Sequence, residues 1–283
     1  MSSTIILNSN NRSSSNSSRY EYVFPSTVKF GKGATIALQS FAMFNSFFNV
    51  EAQRGNNQFK IHWHADTSTE YTITLPDGYY SLQNLNRYLQ NFCLFNDLYM
   101  KDSNDNDLYF IEILPNEVRY AAEVDLTALP TAATASTLGW TVPVGASWSL
   151  PVTPKSPQLE ILTSPFGSLL GMQIGIYPSS VLAEDSQHLS SGEIQISPTN
   201  SVILGCNLIS SAYSNPSHLF YSIPLTEPFG RLITHNASSV IINNITPGSY
   251  GKISIDLYSQ NFESLRFIDS EIVIVLQIFK PEE

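Results

Sequence analysis

Residues 70–92 read EYTITLPDGYYSLQNLNRYLQNF, and two different hydrophobic periods meet within this stretch. Residues 71–75 alternate large apolar side chains with threonines, and this period of two predicts a β-strand. Pro76-Asp77-Gly78 then has the chemistry of a turn, because proline fixes φ, aspartate bonds to its own backbone and glycine accepts a positive φ. We therefore expect the strand to stop at residue 75.

The second half of this stretch has the period of a helix. Leu82, Leu85 and Leu89 recur at three- and four-residue spacing, and Tyr88 falls on the same side. Ser81 is placed to cap the helix, although no Glu or Gln follows three residues later to complete a capping box. The stretch predicts a strand, a tight turn and one short amphipathic helix.

The segments before this stretch also indicate strands. Phe59, Ile61 and Trp63 alternate with polar residues, and they are expected to form a hairpin with residues 71–75. Residues 34–50, ATIALQSFAMFNSFFNV, are apolar in two successive phases. This pattern indicates a strand that bends or bulges and is buried on both faces.

The C-terminal part of the chain repeats short strand patterns. Between residues 193 and 279, β-branched and apolar runs alternate with turns rich in Pro, Gly and Asn. The last run, residues 271–279, is apolar on both faces and is expected in the middle of its sheet. No repeat of fixed period occurs, which argues against a propeller or a β-helix. The sequence predicts an all-β protein, an antiparallel β-sandwich.

Composition points to a surface with few charges. The chain has 283 residues, of which 13% are charged, whereas a typical soluble domain has about a quarter. Interface cores are depleted in charge, so such a surface is typical of a protein whose faces meet other protein. A solvated surface rich in Ser and Asn explains the composition equally well.

Charge and cysteine use exclude several classes of protein. The net charge of −10 argues against nucleic-acid binding, which needs clustered Lys and Arg. Cys93 and Cys206 are far apart and flank no motif, so we expect two free thiols in a reducing cytosol. The opening residues, MSSTIILNS, predict no signal peptide, and no segment is apolar for the roughly 20 residues that span a membrane.

The chain is expected to divide into an arm and one domain. Residues 1–19 are nearly all Ser and Asn, which predicts a disordered N-terminal arm, with or without a partner that orders it. Residues 20–283 are expected to form a single domain. Residues 127–157 read as an excursion with short strands, in which Trp140 and Trp148 need a cover from this chain or from a neighbour.

Few residues suggest catalysis or metal binding. His62 and His64 share one face of a predicted strand, and Asp66 follows in phase. A metal site needs further ligands, which are missing, so polar side chains in contact with solvent are the better interpretation. Residues 102–107 resemble a calcium loop only in composition, because Asp107 replaces the expected glycine, and a hairpin tip is favoured.

No nucleophile motif or phosphate-binding loop occurs in the chain. His188, His218 and His235 have no catalytic partner at a recognisable spacing, and Asp77 and Asp256 are expected to cap turns. The sequence therefore predicts no catalytic, cofactor-binding or metal-binding residue and no cofactor. The protein is not expected to be an enzyme.

Several stretches, taken in order, resemble one family. They are LQSFAMFNSFFNV at 38–50, TITLPDGYYSLQNLNRYLQ at 72–90, FGSLLGMQIGIYP at 166–178, and the sequence from VILGCNLI at 202–209 to PFGRLI at 228–233. This order is similar to the minor capsid, or penton, proteins of virophages and of polinton/Maverick-type double-stranded DNA elements. No single stretch is specific, and the ordered combination carries the resemblance.

The resemblance, which covers most of residues 30–279, implies a single jelly roll of two four-stranded sheets. It implies homopentamers at the five-fold vertices of a virion, made in the host cytoplasm or a virus factory. The implied partners are trimers of a major capsid protein, and an internal cement protein is a further partner through residues 1–19. Some relatives carry a large inserted domain, for which this chain reads as too short.

Two other functions remain open from the sequence. One is a trimeric jelly-roll module that binds a carbohydrate or a receptor, for which Trp140 and Trp148 are the best feature. The other is a jelly-roll enzyme that uses a metal on His62 and His64. The order of symmetry of the particle separates the first of these from a pentamer, and metal analysis tests the second.

Overall fold

The computed structural model describes residues 2–196, 199–237 and 241–280. The chain folds as two units, the jelly-roll unit (Met1–Phe48 with Ser197–Glu283) and the inserted unit (Asn49–Ile196). The first segment of the jelly-roll unit contains β1 (Ser2–Asn8), β2 (Arg19–Phe30) and β3 (Thr35–Phe44). The inserted unit contains β4 (Gln58–His64), β5 (Ser68–Thr74), α1 (Leu82–Phe95), β6 (Met100–Lys101), β7 (Asp107–Leu108), β8 (Ile111–Asn116), β9 (Ala121–Leu126), α2 (Ala132–Leu138), β10 (Gln158–Ile161), α3 (Ser164–Leu170), β11 (Gly175–Tyr177) and β12 (Ser186–Leu189). The jelly-roll unit then resumes with β13 (Ser201–Cys206), β14 (Leu219–Pro224), β15 (Leu232–Asn236), β16 (Ile242–Asn244), β17 (Gly248–Tyr258) and β18 (Ile272–Phe279).

The strands of the jelly-roll unit form two antiparallel sheets. The first sheet has the order β1-β18-β3-β15, with β16 also paired to β3, and the second has the order β14-β13-β17-β2. If β16 is set aside and the other eight strands are counted along this unit, the sheets read 1-8-3-6 and 5-4-7-2. This is the strand order of a jelly roll, so the predicted all-β sandwich is confirmed.

One hydrophobic core joins the two sheets of this unit. Phe41 and Leu276 from the first sheet, and Leu204 and Leu257 from the second, are at most 1% exposed and belong to the same cluster. The alternation of strand residues explains this core, because every second side chain of each sheet points to the same face. The last strand, β18, lies between β1 and β3 as predicted.

The N-terminal residues differ from the expected disordered arm. Residues 2–8 form β1, which pairs with β18 along its whole length, and Leu7 is fully buried in the jelly-roll core. The short apolar run Ile5-Ile6-Leu7 supplies this contact, although the surrounding serines and asparagines dominate the local composition. A strand can take its order from a neighbour that is remote in sequence, and composition does not contain that information.

The domain organisation also differs from a single domain over residues 20–283. The inserted unit occupies the connection between β3 and β13, the third and fourth strands of the jelly roll. The expectation that the chain is too short for an inserted domain is therefore wrong. Strands of both units have the same short alternating patterns, so period alone does not show which sheet a strand joins.

Three sheets, three α-helices and one short 3₁₀-helix (Ala52–Arg54) build the inserted unit. Its sheets have the orders β11-β10-β4-β5, β12-β9-β8 and β6-β7. The core contains Phe59 stacked on Phe166 with ring centroids 5.0 Å apart, and Trp63, which is 1% exposed. Helix α1 packs against β8, and the buried Asn86 side chain accepts a hydrogen bond from the Ile113 amide at 2.9 Å.

The stretch at residues 70–92 folds as predicted. β4 and β5 pair as a hairpin, and Ser81 Oγ accepts a hydrogen bond from the Asn84 amide at 3.1 Å, which caps α1. Leu82, Leu85 and Leu89 are the buried side of the helix. Residues 127–157 differ from the prediction, because they contain α2 and isolated bridges in place of short strands.

Candidate functional site

The two histidines of β4 lie in a polar cluster of the inserted unit. His62 Nε2 is 2.8 Å from Glu160 Oε2, and His62 Nδ1 is 3.7 Å from Glu70 Oε1. His64 bonds to Gln158 through Nε2 at 2.7 Å and to Ser68 through Nδ1 at 2.9 Å. The ring nitrogens therefore already have partners within the chain.

The environment of these histidines corrects the solvated interpretation in part. Ile61 and Trp63 are buried on the opposite face, as expected, but His62 is only 7% exposed. Burial lowers the pKa of His64, because desolvation disfavours the imidazolium. Asp66 does not join the pair, since its carboxylate accepts hydrogen bonds from the amide and the hydroxyl of Ser149, which lower the pKa of Asp66.

The part of the chain that the structure describes contains no set of side chains that could bind a metal. No group of three or more His, Cys, Asp or Glu side chains is placed to hold an ion there. In the loop at residues 102–107, Asp102 accepts hydrogen bonds from the amides of Asn104 and Asn106. This loop joins β6 to β7, so the predicted hairpin tip is confirmed.

The other titratable candidates have structural partners. Asp77 Oδ1 accepts a hydrogen bond from the Ala52 amide at 2.7 Å, as expected of a turn residue. Asp256 lies within β17 and forms an ion pair with Arg19 at 2.7 Å, so its predicted role in a turn is wrong. His218 and His235 lie 3.1 and 2.9 Å from the hydroxyls of Tyr258 and Tyr221.

The remaining histidine is half-buried and the two cysteines are buried, which the sequence did not show. Burial lowers the pKa of His188, whose ring lies 5.8 Å from that of Tyr177. Cys93 and Cys206 are free and buried, one in each unit, and desolvation raises the pKa of each thiol to about 12. Thiols of this kind are inert side chains of a core.

The two tryptophans of residues 127–157 are covered by their own unit. Trp148 is 8% exposed, and its Nε1 donates a hydrogen bond to the Asp97 carbonyl at 2.7 Å. Trp140 is partly buried, with its ring 6.3 Å from that of Phe110. Trp148 is therefore covered by its own unit, and Trp140 is covered in part.

The first sheet of the jelly roll has an outer face without charged residues. Side chains alternate between the two faces of a strand. The residues that lie between the core positions of these strands therefore define the outer face, which we call the uncharged face. Its residues are Ser2, Thr4, Ile6, Asn8, Thr35, Ala37, Ser40, Ala42, Phe44, Leu232, Thr234, Asn236, Ile242, Asn244, Val273, Val275, Gln277 and Phe279. Exposed apolar side chains lie among them, with Ile6 at 58% and Val273 at 43% exposure.

The register shows that this face is continuous. Ile6 lies opposite Val275, which lies opposite Ser40, which in turn lies opposite Asn236, so one row crosses four strands. The second sheet is different, because its outward residues include the ion pairs Arg19–Asp256 and Lys252–Glu21. Lys252 Nζ lies 2.8 Å from Glu21 Oε1. The absence of charge therefore distinguishes one face of the sandwich from the other.

A cleft lies at the start of α1 in the inserted unit and was missed in the sequence. Its volume is about 360 Å³, and we call it the tyrosine cleft. Its side chains are Tyr79, Tyr80, Asn84, Arg87, Tyr88 and Asn91. Asn84, Arg87 and Asn91 recur at helical spacing and are exposed, so a polar stripe on the helix opposite its leucines was the available signal.

Comparison with known proteins finds a distant structural similarity. No family model matches the chain. No curated protein matches it either. Among solved structures, the crystal structure of SeMet-labelled mavirus penton protein is similar over 99% of this chain and 98% of that chain, with a TM-score of 0.43 and 10% sequence identity. Function is therefore argued below from the surfaces of this chain. None of the helices in the described residues is long and apolar enough to cross a membrane.

Proposed function

We propose that this chain is a structural capsid protein of the penton type, which assembles as a homopentamer at the five-fold vertices of an icosahedral virion. The uncharged face is the observation that carries the proposal. Jelly rolls occur in viral capsid domains, but also in lectins and cupins. The fold by itself leaves the function open, and the chemistry of the face favours assembly.

Electrostatics favours contact between copies at this face. Each copy has a net charge of −10, so copies repel one another at most orientations. An interface that buries an unpaired charge also loses its hydration, which costs several kcal/mol. The uncharged face avoids both costs, and Ile6, Ile242 and Val273 add apolar area that leaves water on contact.

The geometry of a closed ring requires two different patches on each copy. The uncharged face supplies one patch, and a different surface of the neighbouring copy supplies the other. A face that paired with itself would give a two-fold dimer instead. We therefore propose heterologous contacts around a five-fold axis.

The proposal also includes other capsid proteins as partners and a location in the virion. The resemblance to penton proteins supports contact with trimers of a major capsid protein at the vertex of a virion that is made in the host cytoplasm or a virus factory. A structural role requires no catalytic residue. Because residues 2–8 form β1, we propose no internal partner bound through a free N-terminal arm.

The mass and symmetry of the particle test this proposal. Light scattering of the purified chain is expected to give a particle of five copies, and two-dimensional class averages from electron microscopy are expected to show five-fold symmetry. A chain that stays monomeric at high concentration would contradict the proposal. Three-fold averages would contradict it as well and would favour a trimeric binding module.

A matched pair of substitutions locates the contact. Val273→Asp places a carboxylate on the uncharged face and is expected to shift the particle towards monomer by at least tenfold in dissociation constant. Val118→Asp, at a residue with 97% exposure in the inserted unit, is the control and is expected to leave the particle intact. If Val273→Asp assembles like the unmodified chain, the uncharged face is not the contact.

The alternative of a trimeric carbohydrate-binding module is weakened at its best sequence feature. Trp148 is 8% exposed and packs against Trp63, and the half-buried Trp140 packs against Phe110, so both rings contribute to the core of the inserted unit. We therefore retain the capsid role as the proposal for the chain as a whole.

A further inference from the structure

The tyrosine cleft combines a rigid floor with three exposed polar side chains of α1. Its loop is fixed to Val50 by two backbone hydrogen bonds with Gly78, at 3.0 and 3.1 Å. The Asn49 side chain holds Tyr80 through both its amide and its carbonyl, each at 2.8 Å. A site built on such fixed backbone keeps its shape before a ligand arrives, which reduces the entropy cost of binding.

The hydroxyls of Tyr80 and Tyr88 are already bonded, which fixes their rings. Tyr80 donates to the Pro76 carbonyl and Tyr88 donates to the Thr74 carbonyl, both at 3.0 Å. The two rings meet edge to face at 6.2 Å between centroids. Burial raises the pKa of Tyr80, so its ring stays neutral. These two rings are therefore fixed and half-buried, and their hydroxyls are committed elsewhere.

The helix supplies the polar groups of the cleft. The side chains of Asn84, Arg87 and Asn91 are exposed, and within the described ranges they form no hydrogen bond or ion pair with another residue. Two amides and one guanidinium can donate and accept hydrogen bonds with a ligand that has several hydroxyls. Among the described residues that line the cleft, Arg87 is the one charged residue and none is a carboxylate.

We propose that the tyrosine cleft binds a single acidic sugar unit, with its pyranose ring against the tyrosines and its carboxylate on Arg87. A volume of about 360 Å³ lies at the lower end of the range for small-molecule sites, which matches one monosaccharide. A planar guanidinium binds a carboxylate through two parallel hydrogen bonds. Asn84 and Asn91 then bond to the ring hydroxyls, and the apolar C–H face of the sugar lies on an aromatic ring.

The charge of the whole chain restricts the ligand further. With a net charge of −10, the protein repels polyanions, so a nucleic acid or a highly sulfated chain is a poor ligand. One carboxylate that is paired directly with Arg87 avoids most of this repulsion. This inference does not rest on the capsid role, and it holds for whichever assembly the chain forms.

The test uses saturation-transfer NMR titrations of the full chain with three methyl glycosides. Methyl glucuronide and methyl sialoside both carry a carboxylate, and methyl glucoside is the neutral comparison. At least one acidic glycoside is expected to bind about tenfold more tightly than the glucoside. Comparison of the two acidic glycosides distinguishes a uronic acid from a sialic acid. Absence of binding by both, or equal binding of the neutral sugar, would overturn the proposal.

Variants connect the binding to the cleft. Arg87→Gln is expected to weaken binding of the acidic glycoside about tenfold. Arg119→Gln, at an exposed arginine in the turn between β8 and β9, is the matched control and is expected to change nothing. Asn91→Ala is a second cleft variant, expected to weaken binding a few-fold. If both cleft variants bind like the control, the sugar binds elsewhere and the proposal fails, whatever the oligomeric state.

Discussion

Asn49 Nδ2 lies 2.6 Å from the carbonyl oxygen of Ile196, and these residues are the first and the last of the inserted unit. The same side chain also bonds to the amide and the carbonyl of Tyr80 and is 1% exposed. One buried amide therefore joins both ends of this unit to the loop that precedes α1. These hydrogen bonds hold the two ends of the inserted unit together without a covalent bond.

Asn49→Ala is expected to destabilise the inserted unit by about 3 kcal/mol, because it leaves buried backbone groups without partners. Tryptophan fluorescence during urea unfolding measures this effect selectively, since Trp63, Trp140 and Trp148 are the three tryptophans of the chain and all lie in the inserted unit. The control is Asn84→Ala, whose exposed side chain is expected to contribute less than about 0.5 kcal/mol. Equal stabilities of the two variants would show that Asn49 does not have this role.

Gly167→Ala is expected to destabilise the inserted unit by roughly 1–3 kcal/mol, although alanine favours helices. A Cβ atom at Gly167 in α3 would overlap the carbonyl oxygen of Met172 and would lie 3.2 Å from Ile161 Cγ2. Ser168→Ala in the same helix is the control, because it removes only an exposed hydroxyl that bonds to the Ser164 carbonyl. The fluorescence transition of Gly167→Ala should therefore shift to lower urea, and a transition matching that of Ser168→Ala would contradict the steric argument.

The stability of the inserted unit is expected to fall as the pH drops through about 6.5. Burial lowers the pKa of His64 from its ordinary value of 6.5. The hydrogen bond to Gln158 opposes this shift of the pKa, and the nearby His62 and Lys155 add to it. The unfolded chain then binds a proton more readily than the folded chain, so acid favours unfolding. His64→Gln is expected to reduce the dependence of the fluorescence melting temperature on pH between 7.5 and 5.5. An unchanged dependence would show that another group controls it.

The local elements could be predicted because their causes are local. The turn after β5 and the helix capped by Ser81 depend on residues within a few positions of one another. The hairpin tip at residues 102–107 depends on Asp102 and its neighbours in the same way. Helix α2 was missed because its residues, AATASTL, have no apolar stripe, and it begins at a Thr131 cap whose bond is visible only in three dimensions.

The candidate sites were predicted less well. The sequence drew attention to His62, His64, Trp140 and Trp148, and each of these has partners within its own unit. The tyrosine cleft is lined by a loop and by the exposed side of a helix. No single hydrophobic period in the sequence includes both of these segments. The uncharged face combines β1 and β3 with β15, β16 and β18, which come from opposite ends of the chain.

The sequence by itself determined that this protein is built from short antiparallel strands with few charges, because hydrophobic period and composition act over neighbouring residues. Only the tertiary structure decided that β1 completes a jelly roll, that residues 49–196 fold as an inserted unit, and which strands share the uncharged face. The physical reason is that strand pairing joins residues that are remote in the chain. The energy of strand pairing comes from the register between the strands and from the core that they share. Neither is a property of a local segment.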